Sequence, residues 1–193
     1  MTTANKITVF RILVVPFFIV QMIYYTTTGD EWHRLAALLC FGIAALTDGL
    51  DGYIARKYNQ RSELGTILDP LADKILLVSG IILLSLDNRP HFERLPLWLT
   101  GIILGRDVIL VIGLLVIHYT FGKIRVRPRV SGKVATVLQM ATVLWILLHW
   151  DKDFLPWLTV FTGGFTALSG VLYLFDGMRQ LGSSAASAAL SEP

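Results

Sequence analysis

Cysteine, charge and polar linkers are all scarce in this chain. Its 193 residues include a single cysteine, Cys40, so an internal disulfide is excluded. Only 16% of the residues are charged, whereas 54% are hydrophobic, which is too apolar for an ordinary soluble domain. No internal repeat is present, and the longest polar stretch is the end of the chain, residues 182–193. Together these absences favour a membrane protein over a soluble one.

The apolar residues form long continuous runs. Each run approaches the roughly 20 residues that a helix needs to cross a hydrocarbon core of about 30 Å. The runs do not alternate with a period of two residues, as the strands of a membrane barrel would. The sequence therefore predicts an all-α integral membrane protein, a bundle of six transmembrane helices. The predicted spans are residues 7–25, 35–56, 67–86, 97–119, 132–150 and 155–175.

Basic residues are distributed unevenly between the predicted loops. Eleven of the 17 lysines and arginines lie at the two termini and in the loops after the second and fourth spans, and four lie on the opposite side. The positive-inside rule therefore places both termini and the basic loops in the cytoplasm. This topology and anionic lipid headgroups account for the net charge of +3, so we expect no nucleic-acid partner.

The predicted loops are short, so the sequence predicts one membrane domain, residues 1–181. The first span is followed by no small-x-small cleavage site, and we expect it to be retained. Residues 182–193 are small and weakly hydrophobic, a composition typical of a disordered end without a catalytic part.

Four aspartates lie on two neighbouring predicted helices. Asp48 and Asp51 are three residues apart, and Asp69 and Asp73 are four apart, so each pair shares one helix face. Ionised carboxylates in such apolar segments are costly without a cation. The four carboxylates therefore predict a site for one or two hard divalent ions, most simply Mg²⁺, with Mn²⁺ as the alternative. A divalent ion inside a membrane helix bundle indicates chemistry on a diphosphate.

Two further residues share the helix face of Asp48. Gly52 lies one turn after it, where the missing side chain lets a phosphate or nucleotide approach the backbone. Arg56 lies one turn further on, and a guanidinium suits a phosphate. Taken singly, the glycine is explained by helix packing, the arginine by topology, and Asp69 before Pro70 by a helix N-cap. Only their joint spacing favours a site.

The spacing D-G-x2-A-R-x8-G-x3-D-x3-D resembles the signature of the CDP-alcohol phosphatidyltransferase family, and every position matches. The matching residues are Asp51, Gly52, Ala55, Arg56, Gly65, Asp69 and Asp73, preceded by the further aspartate Asp48. Residues 5–11 and 132–139 are also similar to segments of bacterial family members that use glycerol 3-phosphate as acceptor. The resemblance covers most of the chain, in register with the six predicted spans.

The resemblance implies a division of roles among the aspartates. Asp48, Asp51 and Asp69 would ligate a first metal ion, and Asp48, Asp69 and Asp73 would surround a second. Asp73 would also be the general base that takes the proton from the attacking alcohol. Because a metal-bound carboxylate is a weak base, we expect Asp73 to act mainly by positioning that alcohol.

The resemblance also implies the substrate contacts, the location and the assembly. Gly52, Arg56, Ser62 and Thr8 would contact the donor lipid, CDP-diacylglycerol. The protein would lie in a bacterial inner membrane, with its active site and both termini in the cytoplasm. We expect a homodimer.

Three basic residues are predicted to bind the phosphate of the acceptor. Arg106 lies about ten residues into the fourth span, where a charge indicates a functional site. Arg11 and Lys133 begin the first and fifth spans, and three cations would suit the phosphate of glycerol 3-phosphate. The alternatives are snorkelling for Arg11 and Lys133, and for Arg106 an ion pair with an aspartate of the motif. Asp107 is expected to point away from Arg106, because adjacent helix residues do not face each other.

The predicted acceptor is glycerol 3-phosphate, which gives phosphatidylglycerophosphate and CMP. Family members with this acceptor tend to have Arg-Glu where this chain has Arg106-Asp107, and the arginine-rich residues 125–129 resemble those of cardiolipin synthases. Phosphatidylglycerol, which gives cardiolipin, therefore stays the alternative acceptor.

Two other classes of function fit parts of the pattern. An intramembrane prenyltransferase also binds a diphosphate through aspartate-rich helices and Mg²⁺, but its sites favour D-D-x-x-D-like clusters and more helices. An ion carrier needs polar residues along several spans, whereas the sixth span offers only hydroxyls and glycines before Asp176.

Gly101 and Gly105 form a G-x-x-x-G pair, which is expected to pack against another helix of the same bundle rather than in a dimer seam.

Overall fold

The computed structural model describes residues 3–58, 63–86, 90–121 and 130–189. All regular secondary structure in these residues is helical, so the predicted all-α class is confirmed, and each predicted span falls on its own helix. The helices are α1 (Thr3–Thr28), α2 (Glu31–Tyr58), α3 (Glu63–Ser85), α4 (Leu97–Phe121), α5 (Val130–Leu147) and α6 (Leu155–Ala189).

Three of the described helices are long and apolar enough to cross a membrane. They contain the segments Phe10–Thr28, Val130–Leu147 and Leu155–Met178, which correspond to the first, fifth and sixth predicted spans. The described part of α3 carries a shorter apolar stretch, Lys74–Ser85. Exposed apolar side chains such as Leu13 suit contact with lipid. The chain is thus an all-α membrane protein, and crossing by α2, α3 and α4 stays a prediction.

The chain divides into two compact units. They comprise Met1–Leu95 with Met140–Leu155, and Pro96–Gln139 with Pro156–Pro193. In the first unit, Phe18 of α1 and Phe41 of α2 are fully buried, with ring centroids 5.8 Å apart. Gly80 of α3 leaves room for Val143 of α5, whose Cγ1 would lie 3.3 Å from a Cβ atom on the glycine. The core of this unit is therefore built from four helices.

Gly29 and Asp30 join α1 to α2 in the first unit. Gly29 has a φ of 70°, and its N–H donates to the carbonyl of Tyr25 at 2.9 Å, which closes the end of α1. Asp30 Oδ1 accepts a hydrogen bond from the N–H of Trp32 at 3.0 Å and so caps the start of α2. A Cβ atom at Gly29 would also lie 2.5 Å from His91 Cε1, so glycine is needed for both conformation and space.

The end of α5 differs from the predicted span. The helix stops at Leu147, and His149 has a φ of 52°, which turns the chain off the helical path before residue 150. Arg34 Nη1 donates to the carbonyl of Leu147 at 2.7 Å. This bond satisfies one of the carbonyls that a helix end leaves open.

The second unit contains α4, the start of α5 and α6. The ring of Trp98 on α4 packs so close to Gly163 of α6 that a Cβ atom there would lie 2.5 Å from Trp98 Cζ3. Gln139 Nε2 of α5 donates to Thr166 Oγ1 of α6 at 3.0 Å, and both residues are buried. Small residues and buried polar bonds thus hold these helices together, as is usual for helices in a membrane.

The helix α6 continues to Ala189, through most of the segment predicted to be disordered. A helix that is already formed extends without a new nucleation cost, and the segment is rich in alanine, the best helix former. The predicted boundary at residue 181 falls inside α6 and stays a prediction, and residues 190–193 lie outside the described residues.

The G-x-x-x-G pair of α4 has no described residue packed against it. No described residue lies within 4 Å of a Cβ atom on Gly101 or Gly105. Both glycines are exposed, as are Val108 and Ile112 on the same helix face. In the part of the chain that the structure describes, this face of α4 has no helix against it, and packing within the bundle stays a prediction.

Candidate functional site

The four aspartates of the motif lie on helical backbone, as the spacing argument requires. Asp48 and Asp51 belong to α2, and Asp69 and Asp73 belong to α3. Their side chains lie outside the described part of the structure. Among the side chains it does describe, no group of three or more His, Cys, Asp or Glu residues is placed to hold a metal ion. Helical spacing and an all-carboxylate donor set fit a hard divalent ion, and these four residues stay the predicted ligands.

The residues predicted to contact the donor lipid are likewise described only in part. Gly52 and Arg56 lie on the helical backbone of α2, and Thr8 lies on that of α1. The side chains of Thr8 and Arg56 are outside the described part, and so is the whole of Ser62. The donor site therefore remains a prediction.

Arg106 of α4 is a buried cation in the second unit, with 7% of its side chain exposed. Its Nη1 donates to Asp107 Oδ1 at 2.8 Å, and its Nη2 donates to Ser169 Oγ of α6 at 3.3 Å. The ring of Tyr173 lies 5.8 Å from the guanidinium carbon. Nε is buried and has no hydrogen-bond partner among the described residues. The Nε of Arg106 is thus a buried donor that no described residue accepts from.

The contact with Asp107 corrects the prediction that this carboxylate points away from Arg106. Successive Cβ atoms on a helix do diverge, but the long arginine side chain bends back far enough for its guanidinium to reach the next residue. The gain is electrostatic, because a buried cation is strongly destabilising without a counter-charge. The observed partner is the neighbour on α4, and an ion pair with an aspartate of the motif stays a prediction.

Two glycines make room for Arg106. A Cβ atom on Gly132, in the first turn of α5, would lie 3.1 Å from Arg106 Nη2 and 3.0 Å from Tyr173 Oη. A Cβ atom on Gly170 of α6 would lie 3.3 Å from Arg106 Cγ. Larger residues at either position would press on the arginine side chain, so its placement depends on both glycines.

The other two cations of the predicted acceptor site are placed differently. Lys133 is exposed in the first turn of α5, next to the glycine that contacts Arg106. Arg11 of α1 is fully buried, which is the opposite of what snorkelling predicts. Arg11 belongs to the first unit, whereas Arg106 and Lys133 belong to the second, so convergence of all three stays a prediction.

Sequence reasoning missed Ser169, which bonds to Arg106, and the row of buried hydroxyl residues on α6 to which it belongs. Buried hydroxyl residues recur along one face of this helix at alternating intervals of three and four residues. They are Thr159, Thr162, Thr166 and Ser169. That helical periodicity was the available signal, because a row of polar residues inside an apolar helix faces other protein rather than lipid.

A separate charged cluster in the first unit joins the start of α2 to the residues that follow the apolar segment Val130–Leu147. Arg34 Nε donates to Glu31 Oε2 at 2.6 Å, and this bond lowers the pKa of the Glu31 carboxyl. Burial, and then the charge of Arg34, lower the pKa of His149. The rings of His149 and Phe92 are 5.6 Å apart. Both shifts favour the protonation states that these side chains adopt at neutral pH.

Comparison with known proteins agrees with the signature. Residues 1–168 match the model of the CDP-alcohol phosphatidyltransferase family. A protein of Bacillus subtilis (strain 168) is 34% identical over 197 aligned positions, which cover 93% of this chain and 97% of that relative. A protein of Escherichia coli (strain K12) is 31% identical over 145 positions, 73% of this chain and 74% of the relative. Both carry the name CDP-diacylglycerol–glycerol-3-phosphate 3-phosphatidyltransferase.

Proposed function

The chain belongs to the CDP-alcohol phosphatidyltransferase family, and on that premise we propose that it transfers the phosphatidyl group of CDP-diacylglycerol to glycerol 3-phosphate. The products would be phosphatidylglycerophosphate and CMP. The observation that carries this proposal is the likeness to relatives named for that reaction, over 93% of this chain in the Bacillus subtilis case. The complete signature from Asp51 to Asp73 supports the same reading.

The donor half of the reaction is proposed to take place at the aspartates of α2 and α3. Asp48, Asp51, Asp69 and Asp73 would hold two divalent ions, Mg²⁺ or Mn²⁺. When bound, the ions would neutralise the diphosphate and stabilise the departing CMP. Gly52, Arg56, Ser62 and Thr8 would hold the cytidine diphosphate part of the donor.

The chemical step is a displacement at phosphorus. The hydroxyl oxygen of glycerol 3-phosphate forms a bond to the phosphorus that carries the diacylglycerol, and the bond from that phosphorus to the oxygen retained by CMP breaks. Asp73 accepts the hydroxyl proton and places the attacking oxygen. The negative charge of the broken bond leaves with CMP.

The acceptor phosphate is proposed to bind at Arg106 and Lys133, with Arg11 as a third cation. The first turn of α5 supports this position, because a helix N-terminus favours an anion. The Arg106 guanidinium lies beside Gly132 in that turn, where the Asp107 carboxylate offsets its charge and the helix N-terminus favours a further anion. A phosphate held between Arg106 and the start of α5 would satisfy both groups.

Orientation and assembly are further parts of the proposal. We place both termini and the active site in the cytoplasm of a bacterial cell, on the distribution of basic residues.

We also propose a homodimer, for which the exposed face of Gly101, Gly105, Val108 and Ile112 is a suitable seam. Replacing Gly105 with leucine should weaken the dimer in detergent, and an unchanged oligomeric state would contradict that seam.

The donor half is tested by CMP release from purified variants at saturating Mg²⁺. Asp48→Asn, Asp69→Asn and Asp73→Asn should each abolish release while the protein still inserts and folds, because losing one ligand misplaces the ions and the attacking alcohol. Asp30→Asn is the matched control, since asparagine caps a helix as well as aspartate does. Near-normal release by any of the three motif variants would remove that residue from the site.

A further inference from the structure

Three residues of α6 contact different parts of the Arg106 side chain. Ser169 is fully buried, and its Oγ accepts the hydrogen bond from Nη2 at 3.3 Å. Gly170 packs against the stem, where a Cβ atom would lie 3.3 Å from Arg106 Cγ. Tyr173, one turn after Ser169, has its ring centroid 5.8 Å from the guanidinium carbon. The helix α6 thus contacts the stem of Arg106, its Nη2 atom and, through the ring of Tyr173, the guanidinium itself.

These contacts restrict how the guanidinium points. An arginine side chain has about 2 kcal/mol of rotamer entropy, so a guanidinium without such contacts samples many directions. Asp107 holds Nη1 at 2.8 Å and Ser169 holds Nη2, which together define the plane of the group. The buried Nε, which has no hydrogen-bond partner among the described residues, is then a donor in a fixed direction. A donor held in place binds an anion at a lower entropic cost.

We propose that Ser169, Gly170 and Tyr173 form an arginine cradle, a set of positioning residues that orients the Arg106 guanidinium and thereby sets the affinity for the phosphorylated acceptor. This inference rests on the acceptor role of Arg106 in the proposed function and deepens it. The cradle residues act through Arg106 and are not catalytic residues.

The first test separates positioning from a structural role. Ser169→Ala should raise the KM for glycerol 3-phosphate about 3- to 10-fold, the effect of one modest hydrogen bond, and leave the KM for CDP-diacylglycerol unchanged. Ser169→Thr keeps a hydroxyl and should restore most of the acceptor affinity. The matched control is Thr166→Val, which removes a buried hydroxyl one turn earlier that bonds to Gln139 instead. That control should change neither KM.

The second test moves the stem of Arg106 without removing a hydrogen bond. Gly170→Ala places a methyl group 3.3 Å from Arg106 Cγ, so the stem must shift by a few tenths of an ångström. The acceptor KM should rise about 2- to 5-fold, and the donor KM should not. Gly177→Ala on the same helix is the control, because no described residue lies within 4 Å of its Cβ position. If thermal unfolding shows that Ser169→Ala does not fold, the two KM values of Gly170→Ala decide whether the cradle positions Arg106.

Arg106→Ala, measured beside these variants, distinguishes the two levels of the proposal. If Arg106→Ala leaves the acceptor KM unchanged, Arg106 does not bind the acceptor, and the proposed acceptor site fails together with the cradle. If Arg106→Ala raises the acceptor KM but Ser169→Ala and Gly170→Ala do not, the cradle alone is contradicted. Equal rises in both KM values for Ser169→Ala would also contradict it, because that result indicates a general distortion.

Discussion

Arg34 of the first unit and Arg106 of the second are both buried or nearly buried cations, and each pairs with a nearby acidic residue. Arg34, whose side chain is 16% exposed, donates to Glu31 at 2.6 Å and to the carbonyl of Leu147 at the C-terminus of α5 at 2.7 Å. Arg106, which is 7% exposed, lies beside Gly132 in the first turn of α5. A cation is favourable at a helix C-terminus and unfavourable at an N-terminus.

The difference shows what distinguishes a structural arginine from a binding one. Arg34 donates to the Glu31 carboxylate and to a carbonyl that the end of α5 leaves open, so its position is explained by the fold alone. Arg106 lies at the electrostatically wrong end of α5, keeps Nε without a described hydrogen-bond partner, and is accommodated by glycines. Burial and an ion pair are common to both residues. The unused donor and the helix N-terminus are specific to Arg106, and they indicate an anion site.

The largest expected effect is on acceptor binding when Arg106 is removed. Arg106→Ala should raise the KM for glycerol 3-phosphate by roughly 10- to 150-fold, because a hydrogen bond to a charged group contributes about 1.5–3 kcal/mol. The KM for CDP-diacylglycerol should stay within about twofold. Arg34→Ala is the control and should change neither KM. Equal effects of Arg106→Ala on both substrates would make Arg106 a structural residue like Arg34.

The next effect is on stability when Arg34 is removed. Arg34→Ala leaves the Leu147 carbonyl at the end of α5 without this partner, so it should destabilise the fold by about 1–3 kcal/mol. Thermal unfolding in detergent is the measurement, and Arg34→Lys should recover part of the loss. A melting temperature equal to that of the unsubstituted protein would show that the bond to the end of α5 contributes nothing.

A smaller effect is the pH dependence of stability at the Arg34 end. The pKa of Glu31 is lowered by its bond to Arg34, so the unfolded chain binds the proton more readily than the folded one. The stabilisation is therefore complete above the ordinary glutamate pKa and is lost as the pH falls below it. His149, whose pKa burial lowers, adds a loss of the same sign as the pH falls below about 6.5.

Melting temperatures between pH 7 and pH 4 measure this dependence. Glu31→Gln should flatten the lower part of the curve, where the carboxyl titrates in the unfolded chain. An identical curve for Glu31→Gln and the unsubstituted protein would mean that the Glu31–Arg34 bond is too well screened by solvent to matter.

The smallest effect is expected from the arginines of residues 125–129, which lie outside the described residues. Neutralising all three should reduce activity mildly, and less so at high salt, because they serve topology and contact with anionic lipid. A loss as large as that of Arg106→Ala would instead place one of them in the acceptor site.

The sequence predicted the helices, the aspartate motif and Arg106 because these are local signals. A long apolar run, a charge inside it and a fixed spacing of carboxylates can each be recognised within one or two helical segments. The end of α6 was predicted less well, since composition alone does not show that a preceding helix continues into it.

The surroundings of Arg106 could not be predicted because they are set by packing between distant segments. Ser169 is 63 residues from Arg106 in the sequence, and a serine alone does not show which helix its side chain contacts. Asp107 was misplaced because helix periodicity describes Cβ directions and neglects the reach of an arginine side chain. The same limit applies to Gly101, whose pattern permits close packing but does not supply a neighbour.

The most direct test of the proposed reaction is the identity of the acceptor. Purified protein with labelled CDP-diacylglycerol and Mg²⁺ is incubated with glycerol 3-phosphate, phosphatidylglycerol, inositol phosphate or serine, and the labelled lipid product is identified by mass. We expect phosphatidylglycerophosphate from glycerol 3-phosphate, with formation strongly reduced in Arg106→Ala and unaffected in Arg34→Ala. Cardiolipin from phosphatidylglycerol, with no product from glycerol 3-phosphate, would contradict the proposed acceptor and the anion site at Arg106.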